Sequence, residues 1–184
     1  MKNVIISNCT HCALHKNQNP LLDHECNADV VWVGLSAKQV ESVEINIPLE
    51  ADTNTGKLVA DIEALCQDVR FYKTNLAKCL PLDEKGKIRY PSTFECVACY
   101  PNLLIEIQEV RPKVILLLGG KVSEFVLEKF GFKMPKLSYN YEAFQYNGMW
   151  LVPIHHPSYI SVYKRKEKDV YIRAVKAVID KLVV

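Results

Sequence analysis

The amino-acid sequence predicts an α/β fold, specifically a three-layer α/β/α sandwich with a central, mainly parallel sheet. Short runs rich in apolar residues at 30–34, 71–76 and 114–118 have the length of buried strands and end in glycine or polar residues. Segments with the apolar spacing of helices separate these runs, and strands that alternate with helices are typical of a parallel sheet covered on both faces.

Composition is that of one globular domain. The chain has 184 residues, of which 49% are hydrophobic, so we expect residues 1–184 to form a single domain with a cysteine-containing segment at 1–28. No apolar run approaches the length of a membrane span, and residues 1–7 are too short for a secretory signal. We therefore expect a cytoplasmic protein with no membrane contact. We also expect a monomer. The net charge of +2 neither demands nor excludes nucleic acid as a partner.

The first half of the chain is expected to contain two strands and one helix. Residues 1–28 are polar and interrupted by asparagine and proline, which predicts irregular structure. The strand at 30–34 precedes a polar loop at 35–55, whose length is typical of functional or disordered loops. Helical spacing at 56–67 follows, and then the strand at 71–76.

The second half continues the alternation. A loop at 77–92 leads to a helix that we expect to be capped by Thr93 and to run to Val110, followed by the strand at 114–118. Gly119-Gly120 opens a helix through about Lys129. Asn147-Gly148 is a strong hairpin signal between strands at 143–146 and 150–154, and a last amphipathic helix spans 168–182.

Seven cysteines indicate a metal or cluster site. An odd number of cysteines in a reducing compartment argues against a disulfide framework. Two pairs, Cys9 with Cys12 and Cys96 with Cys99, have the C-x-x-C spacing that lets two thiolates reach one ion or cluster. Cys26 and Cys66 lack such a neighbour, and we expect them to be small buried apolar residues.

Two polar strand ends are candidates for chemistry. Residues 155–159, His-His-Pro-Ser-Tyr, follow the strand at 150–154, and rigidly mounted polar groups of this kind often belong to active sites. Asn75 lies near the end of the strand at 71–76. The alternative for both is an ordinary turn residue.

Three sequence blocks, read together, resemble a known family. They are T-N-L-A-K-C at 74–79, C-Y-P at 99–101 followed by a helix and Arg111-Pro112, and H-P-S-Y at 156–159. In this order, with Cys9 and Cys12 near the start, the chain resembles the uracil-DNA glycosylase superfamily from about Cys9 to Leu182. It is most similar to the iron–sulfur branch, family 4, with some likeness to family 5.

The resemblance implies an α/β/α sandwich and a [4Fe–4S] cluster on Cys9, Cys12, Cys79 and Cys99. The segment between Cys79 and Cys99 is longer than usual in the family, so the choice between Cys96 and Cys99 stays open. Zinc held by Cys9, Cys12, Cys96 and Cys99 is the alternative.

The resemblance also implies an activity: hydrolysis of the N-glycosidic bond of uracil, or of a related deaminated or modified base, in DNA. The base has to leave the stack and enter a pocket. His156 would donate a hydrogen bond to the charge that develops on the departing base, at O2 of uracil. Asn75 would read the edge of the base, since an amide both donates and accepts. The expected partner is DNA, single- or double-stranded.

Further residues take roles by the same resemblance. Ser158 would hold a phosphate, Tyr159 and Ile160 would fill the space left by the flipped nucleotide, and His155 would be a second donor or a packed neighbour. The basic residues Lys164 and Arg165, with Lys166 and Lys168, would bind backbone phosphates or simply form a solvated helix start.

The first motif departs from the family pattern. Family 4 has G-E-A/G-P-G after its first strand, whereas this chain has Gly34, Leu35 and Ser36, which are expected to line the base pocket. The acid that orients the attacking water in the family is not in its usual place. Four acidic residues are nearby, and we take Asp52 as the candidate for this role; the others are Glu41, Glu44 and Glu50. Leu49 stands near the position of the family's aromatic residue that stacks on uracil.

The departures from the family motif suggest either that the enzyme excises a different base or that the protein is a catalytically weak or inactive DNA-binding module on the same fold. An unrelated α/β protein with a zinc ribbon is a third hypothesis.

Overall fold

A central five-stranded sheet organises the protein in a computed structural model that describes residues 2–25 and 27–183. The strand order is β2-β1-β3-β5-β4. The strands are β1 (Val30–Ser36), β2 (Phe71–Ala77), β3 (Val114–Leu118), β4 (Phe144–Tyr146) and β5 (Met149–Ile154). The first four in this order are parallel and β4 is antiparallel to β5, which confirms the predicted mainly parallel sheet.

Helices cover both faces of the sheet. The α-helices of the described residues are α1 (Lys2–Ser7), α2 (Asn54–Glu63), α3 (Thr93–Val110), α4 (Gly120–Lys129), α5 (Pro157–Tyr163) and α6 (Lys168–Leu182). Successive residues of β1 point to opposite sides: Trp32 packs with α2 and α6, and Val31 packs with α3 and α4. This arrangement is the predicted three-layer sandwich.

Local sequence signals set most element boundaries. Ser92, not Thr93, caps α3, because its hydroxyl accepts from the Glu95 backbone N–H while the Glu95 carboxylate accepts from the Ser92 N–H, forming a capping box. Helix α2 begins at Asn54 rather than at residue 56, since Thr53 caps it, and it ends at Glu63. In the predicted hairpin, Asn147 and Gly148 both have positive φ, 47° and 84°, as a primed turn requires.

Three segments differ from the sequence expectation. The segment expected to be irregular contains α1 and a short 3-10 helix, Ala13–Lys16. Residues 157–163 form helix α5, a helix that the sequence analysis did not predict. The long loop after β2 folds back on itself through a bridge between Leu82 and Ile88, and we call residues 81–92 the rim hairpin. Cys66 is buried as predicted, whereas Cys26 lies outside the described residues.

No helix among the described residues has both the length and the apolar character needed to cross a membrane.

Candidate active site

A cleft of about 860 Å³ opens at the carboxyl ends of the parallel strands, where ligands of open α/β sheets usually bind. It lies over the ends of β1, β2, β3 and β5. Its lining contains several of the predicted site residues: Gly34, Leu35, Ser36, Leu49, Asn75, His156, Ser158 and Tyr159. The fold therefore brings together residues that are up to 125 positions apart in the chain.

His156 is held as a neutral imidazole by the start of α5. Its Nδ1 accepts a hydrogen bond from the Ser158 backbone N–H at 3.2 Å and lies 2.7 Å from the Ser158 hydroxyl. A backbone N–H can only donate, so Nδ1 carries the lone pair and the ring proton sits on Nε2. Burial also lowers the pKa of His156 below its ordinary value. The ring therefore offers the cleft an Nε2–H donor at neutral pH.

Gly119, at the end of β3, makes room for this ring. Its φ is 89°, and an added Cβ would lie 3.0 Å from His156 Cβ and 3.4 Å from Cδ2. The Gly119 N–H donates to the Ile154 carbonyl at 2.9 Å, which ties the ends of β3 and β5 together. The backbone just before His156, at the end of β5, is thus held in place by its hydrogen bond to the end of β3.

Asn75 stands beside Gly34 in the register of β1 and β2 and is only 3% exposed. A Cβ at Gly34 would lie 2.3 Å from Asn75 Oδ1, so the amide occupies the space that the glycine leaves. Among the described residues, no hydrogen-bond partner is assigned to the Asn75 side-chain amide. It therefore retains both donor and acceptor capacity toward the cleft that it lines.

A buried ionic network lies behind Asn75. Lys78 is fully buried and forms an ion pair with Glu106 of α3. Its ammonium also donates to the Asn75 carbonyl at 2.5 Å and to the Thr74 hydroxyl at 2.6 Å. Glu106 accepts further hydrogen bonds from Thr74 and from the Tyr72 hydroxyl. Sequence reasoning missed this role, because a lysine at a strand end is normally solvated.

The acidic candidates do not reach the cleft. Asp52 is mostly exposed and accepts from the Lys38 ammonium at 2.5 Å, and this hydrogen bond holds the pKa of Asp52 below its ordinary value. Glu50 also pairs with Lys38, at 3.1 Å, and Glu44 accepts from Ser42. No carboxylate is found among the described residues that line the cleft.

Other predicted contacts divide into two groups. Tyr159 is 42% exposed at the mouth of the cleft, whereas Ile160 is fully buried among α2 and α6 and cannot enter a DNA helix. His155 does not line the cleft; its Nδ1 meets the Tyr141 hydroxyl at 2.9 Å. Lys164 pairs with Glu167 and Arg165 donates to the Ser161 carbonyl, so both contribute to local structure.

Four cysteines line a second, smaller cavity beneath this site. Cys9, Cys12, Cys79 and Cys99 surround it together with Lys78 and Asn102. Burial and then the proximity of Cys99, Cys12 and Cys9 raise the pKa of Cys79 to about 12. Cys96, one turn earlier on α3, instead belongs to the apolar cluster between α3, α4 and the sheet.

Hydrogen bonds to sulfur surround this cavity. The Lys78 backbone N–H donates to Cys99 Sγ at 3.3 Å, and Asn102 Nδ2 donates to Cys9 Sγ at 3.2 Å. Such N–H···S bonds are a common feature of iron–sulfur sites. Among the described residues, no three His, Cys, Asp or Glu side chains are close enough to hold a single metal ion.

The fold and the cleft define an α/β/α protein with a polar side-chain site at the carboxyl ends of its parallel strands. Comparison with known proteins narrows that class. Residues 8–179 match the uracil DNA glycosylase superfamily, and the chain belongs to this family.

Individual relatives agree with this assignment. The chain is 26% identical over 165 residues to the type-4 uracil-DNA glycosylase of Saccharolobus solfataricus, covering 83% of this chain and 72% of that protein. It is 28% identical over 159 residues to that of Thermotoga maritima, covering 84% and 79%. These relatives confirm the likeness to family 4 that the motifs predicted. The crystal structure of Pedobacter heparinus SMUG2 has the same fold, with a TM-score of 0.59, 15% identity and coverage of 85% and 76%.

Proposed function

We propose that the protein is a monofunctional DNA glycosylase that hydrolyses the N-glycosidic bond of uracil, or of a related base, and leaves an abasic site. The observation that carries this proposal is that Asn75 and His156 line one cleft, the first with its amide unpaired and the second with a neutral Nε2–H donor. A flipped base meets there both a reader of its edge and a donor for its developing charge.

Cleavage of the N-glycosidic bond in this cleft depends on stabilising the negative charge of the departing base. As the bond to the sugar breaks, negative charge grows on the base, and the Nε2–H of His156 stabilises it at O2. Asn75 holds the opposite edge in one orientation. Because no carboxylate of the described residues lines the cleft, we infer that water attacks the sugar cation without a strong general base.

The lysines near the site support a hydrolytic rather than a covalent reaction. Lys78 is fully buried and hydrogen-bonded on all sides. Burial disfavours the charge on Lys38, but the hydrogen bonds from Lys38 to Asp52 and Glu50 outweigh it and raise the Lys38 pKa. A protonated ammonium does not attack the sugar, so we propose that neither Lys78 nor Lys38 forms a Schiff base.

A non-catalytic DNA-binding module is the second candidate, favoured by the cleft without a carboxylate and by Leu49 where the family has an aromatic. A panel of oligonucleotides containing uracil, hypoxanthine, xanthine or a modified pyrimidine, each followed by alkaline cleavage, separates the two. We expect scission at uracil that is lost in Asn75→Ala. Tight binding without scission at any of these bases would favour the module.

The spacing between Gly34 and Asn75 gives a first prediction. In Gly34→Ala the new methyl group would overlap Asn75 Oδ1, so the amide has to move. A displacement of about 1 Å at a reacting group can cost about 100-fold, and we expect excision to fall by one to two orders of magnitude. Gly120→Ala is the matched control, since its Cβ meets no atom within 4 Å although Gly120 also lines the cleft. Equal activity of the two variants would contradict the placement of Asn75.

We propose that Cys9, Cys12, Cys79 and Cys99 hold a [4Fe–4S] cluster. The shared cavity, the N–H···S bonds and the position of Cys96 in the apolar core support this set over zinc on Cys96. The group would tie the N-terminal segment to the connection between β2 and α3. Because Lys78 belongs to that connection and its ammonium donates to the Asn75 backbone carbonyl in β2, the cluster site would also stabilise the cleft.

Iron analysis of two serine variants tests the ligand set. Cys99→Ser is expected to lose most of its iron and inorganic sulfide, whereas Cys96→Ser should retain about four irons per chain and the brown colour. The two cysteines are equally buried, at 7% exposure, so the comparison is matched for packing. Stoichiometric zinc in the wild type, or equal loss of iron in both variants, would overturn the assignment.

The proposed function also includes a domain organisation, an oligomeric state and a cellular location. We propose a single-domain monomer spanning residues 1–184 that acts on cytoplasmic DNA. Its six described cysteines form no disulfide, which suits a reducing compartment. Size-exclusion chromatography with light scattering tests the monomer.

A further inference from the structure

The mouth of the cleft presents large apolar side chains to solvent. Tyr90 is 68% exposed and Tyr163 75%, with Ile88 and Tyr159 beside them. Ile88, Tyr90 and Tyr163 each expose more than half of their surface, so packing of the core does not account for them. Exposed aromatic rings around a polar cleft are a typical platform for nucleic-acid bases.

The apolar side chains lie on two separate elements. Ile88 and Tyr90 belong to the rim hairpin, which follows β2, whereas Tyr159 and Tyr163 belong to α5, which follows β5. The rim hairpin leads into α3, and Tyr90 lies against Lys121 of α4; both helices cover one face of the sheet. Helix α5 packs through Ile160 with α2 and α6 on the other face. The two groups of side chains therefore stand on either side of the base-binding cleft.

The rim hairpin and α5, which we call the two rims of the cleft, are both held in place by contacts within the protein. In the rim hairpin, Arg89 donates to the Leu82 carbonyl and forms two hydrogen bonds with Glu95, at 2.6 and 2.8 Å, which lower the pKa of Glu95 to about 2. On α5, Tyr159 stacks on His155 with ring planes 13° apart, and Tyr163 packs against Tyr159. A preformed surface loses little conformational entropy when it binds.

Cationic side chains line the cleft where a phosphate backbone would pass. Lys38, Arg89 and Lys121 line it, and the described lining contains no carboxylate. Lys38 is paired with Glu50 and Asp52 and Arg89 with Glu95, so Lys121 is the lining cation without an ion pair among the described residues. Lys121 lies 4.7 Å from the centre of the Tyr90 ring, so a cation and a stacking surface occur together on the hairpin side.

We propose that the two rims bind the bases on either side of the target nucleotide in an unpaired DNA strand. In a duplex those flanking bases are paired and stacked within the helix, whereas in a single strand they are free to stack on Tyr90 and Tyr163. The preferred substrate is therefore single-stranded DNA. This inference rests on the proposed function only for the position of the target base between the rims.

Fluorescence anisotropy tests the inference without requiring excision. The probes are a labelled oligonucleotide without uracil and the duplex made from it. Tyr90→Ala and Tyr163→Ala are each expected to weaken single-strand binding about tenfold and to leave duplex binding within about twofold. Tyr→Phe at either position should restore binding, because the ring remains. Phe94→Ala is the matched control: Phe94 is 70% exposed but does not line the cleft.

The outcomes separate this inference from the proposed function. Unchanged single-strand binding in both alanine variants, or wild-type protein that binds the duplex more tightly, overturns the inference even if uracil is excised. Loss of single-strand binding in both variants supports it even if no base is excised, in which case only the proposed function fails.

Discussion

Replacing His156 by alanine is expected to slow excision of uracil by about 100- to 1,000-fold under single-turnover conditions, the usual effect of removing one preorganised donor to a developing negative charge. Single-turnover measurement isolates the chemical step from product release. The donor in question is the Nε2–H, which the Ser158 hydrogen bonds to Nδ1 define.

His156 also caps α5, and this second role needs its own control. Alanine removes the cap and should cost about 1 kcal/mol of stability. His156→Asn keeps a side-chain acceptor for the Ser158 N–H but places no donor where Nε2 stood. We expect His156→Asn to be as stable as the wild type but to excise uracil as slowly as His156→Ala. Excision within about threefold of wild type in either variant would contradict the assigned role.

The second large effect is expected at Lys78. Lys78→Met leaves the Glu106 carboxylate buried without its partner, and breaking a buried pair typically costs about 3–5 kcal/mol. Urea unfolding of wild type and variant measures this loss.

The double variant Lys78→Met with Glu106→Leu distinguishes stability from function. It removes both charges, so most of the lost stability should return. Excision should stay low, because the Lys78 ammonium no longer donates to the backbone carbonyl of Asn75 and so no longer positions that residue. Full excision by the double variant would show that Lys78 does not position Asn75, and wild-type stability of Lys78→Met would show that the pair is not buried as described.

The sheet and most helices are predictable from the sequence because their signals are local. The strands β1 and β3 are continuous apolar runs, and the hairpin turn follows from Asn147-Gly148, whose positive φ values few other residue pairs adopt readily. The helix at 157–163 was missed because seven residues are too few to establish a period.

The site is less predictable because it depends on contacts between distant segments. Cys96 and Cys99 are one helical turn apart and have the same local environment in sequence, yet only Cys99 faces the other three sulfurs. Asp52 is a plausible acid by position, but Lys38 holds it outside the cleft. Ile160 follows Tyr159 directly, and the turn of α5 buries one while exposing the other.

Release of free uracil tests the central claim most directly. Purified protein would be incubated with a uracil-containing single strand, and free base, abasic sites and strand breaks would be counted before alkali is added. We predict one free uracil per abasic site, no strand break without alkali, and no covalent product after addition of borohydride. Tight binding of the oligonucleotide with no free uracil, in a preparation with its cysteine site intact, would contradict the claim that this cleft excises uracil.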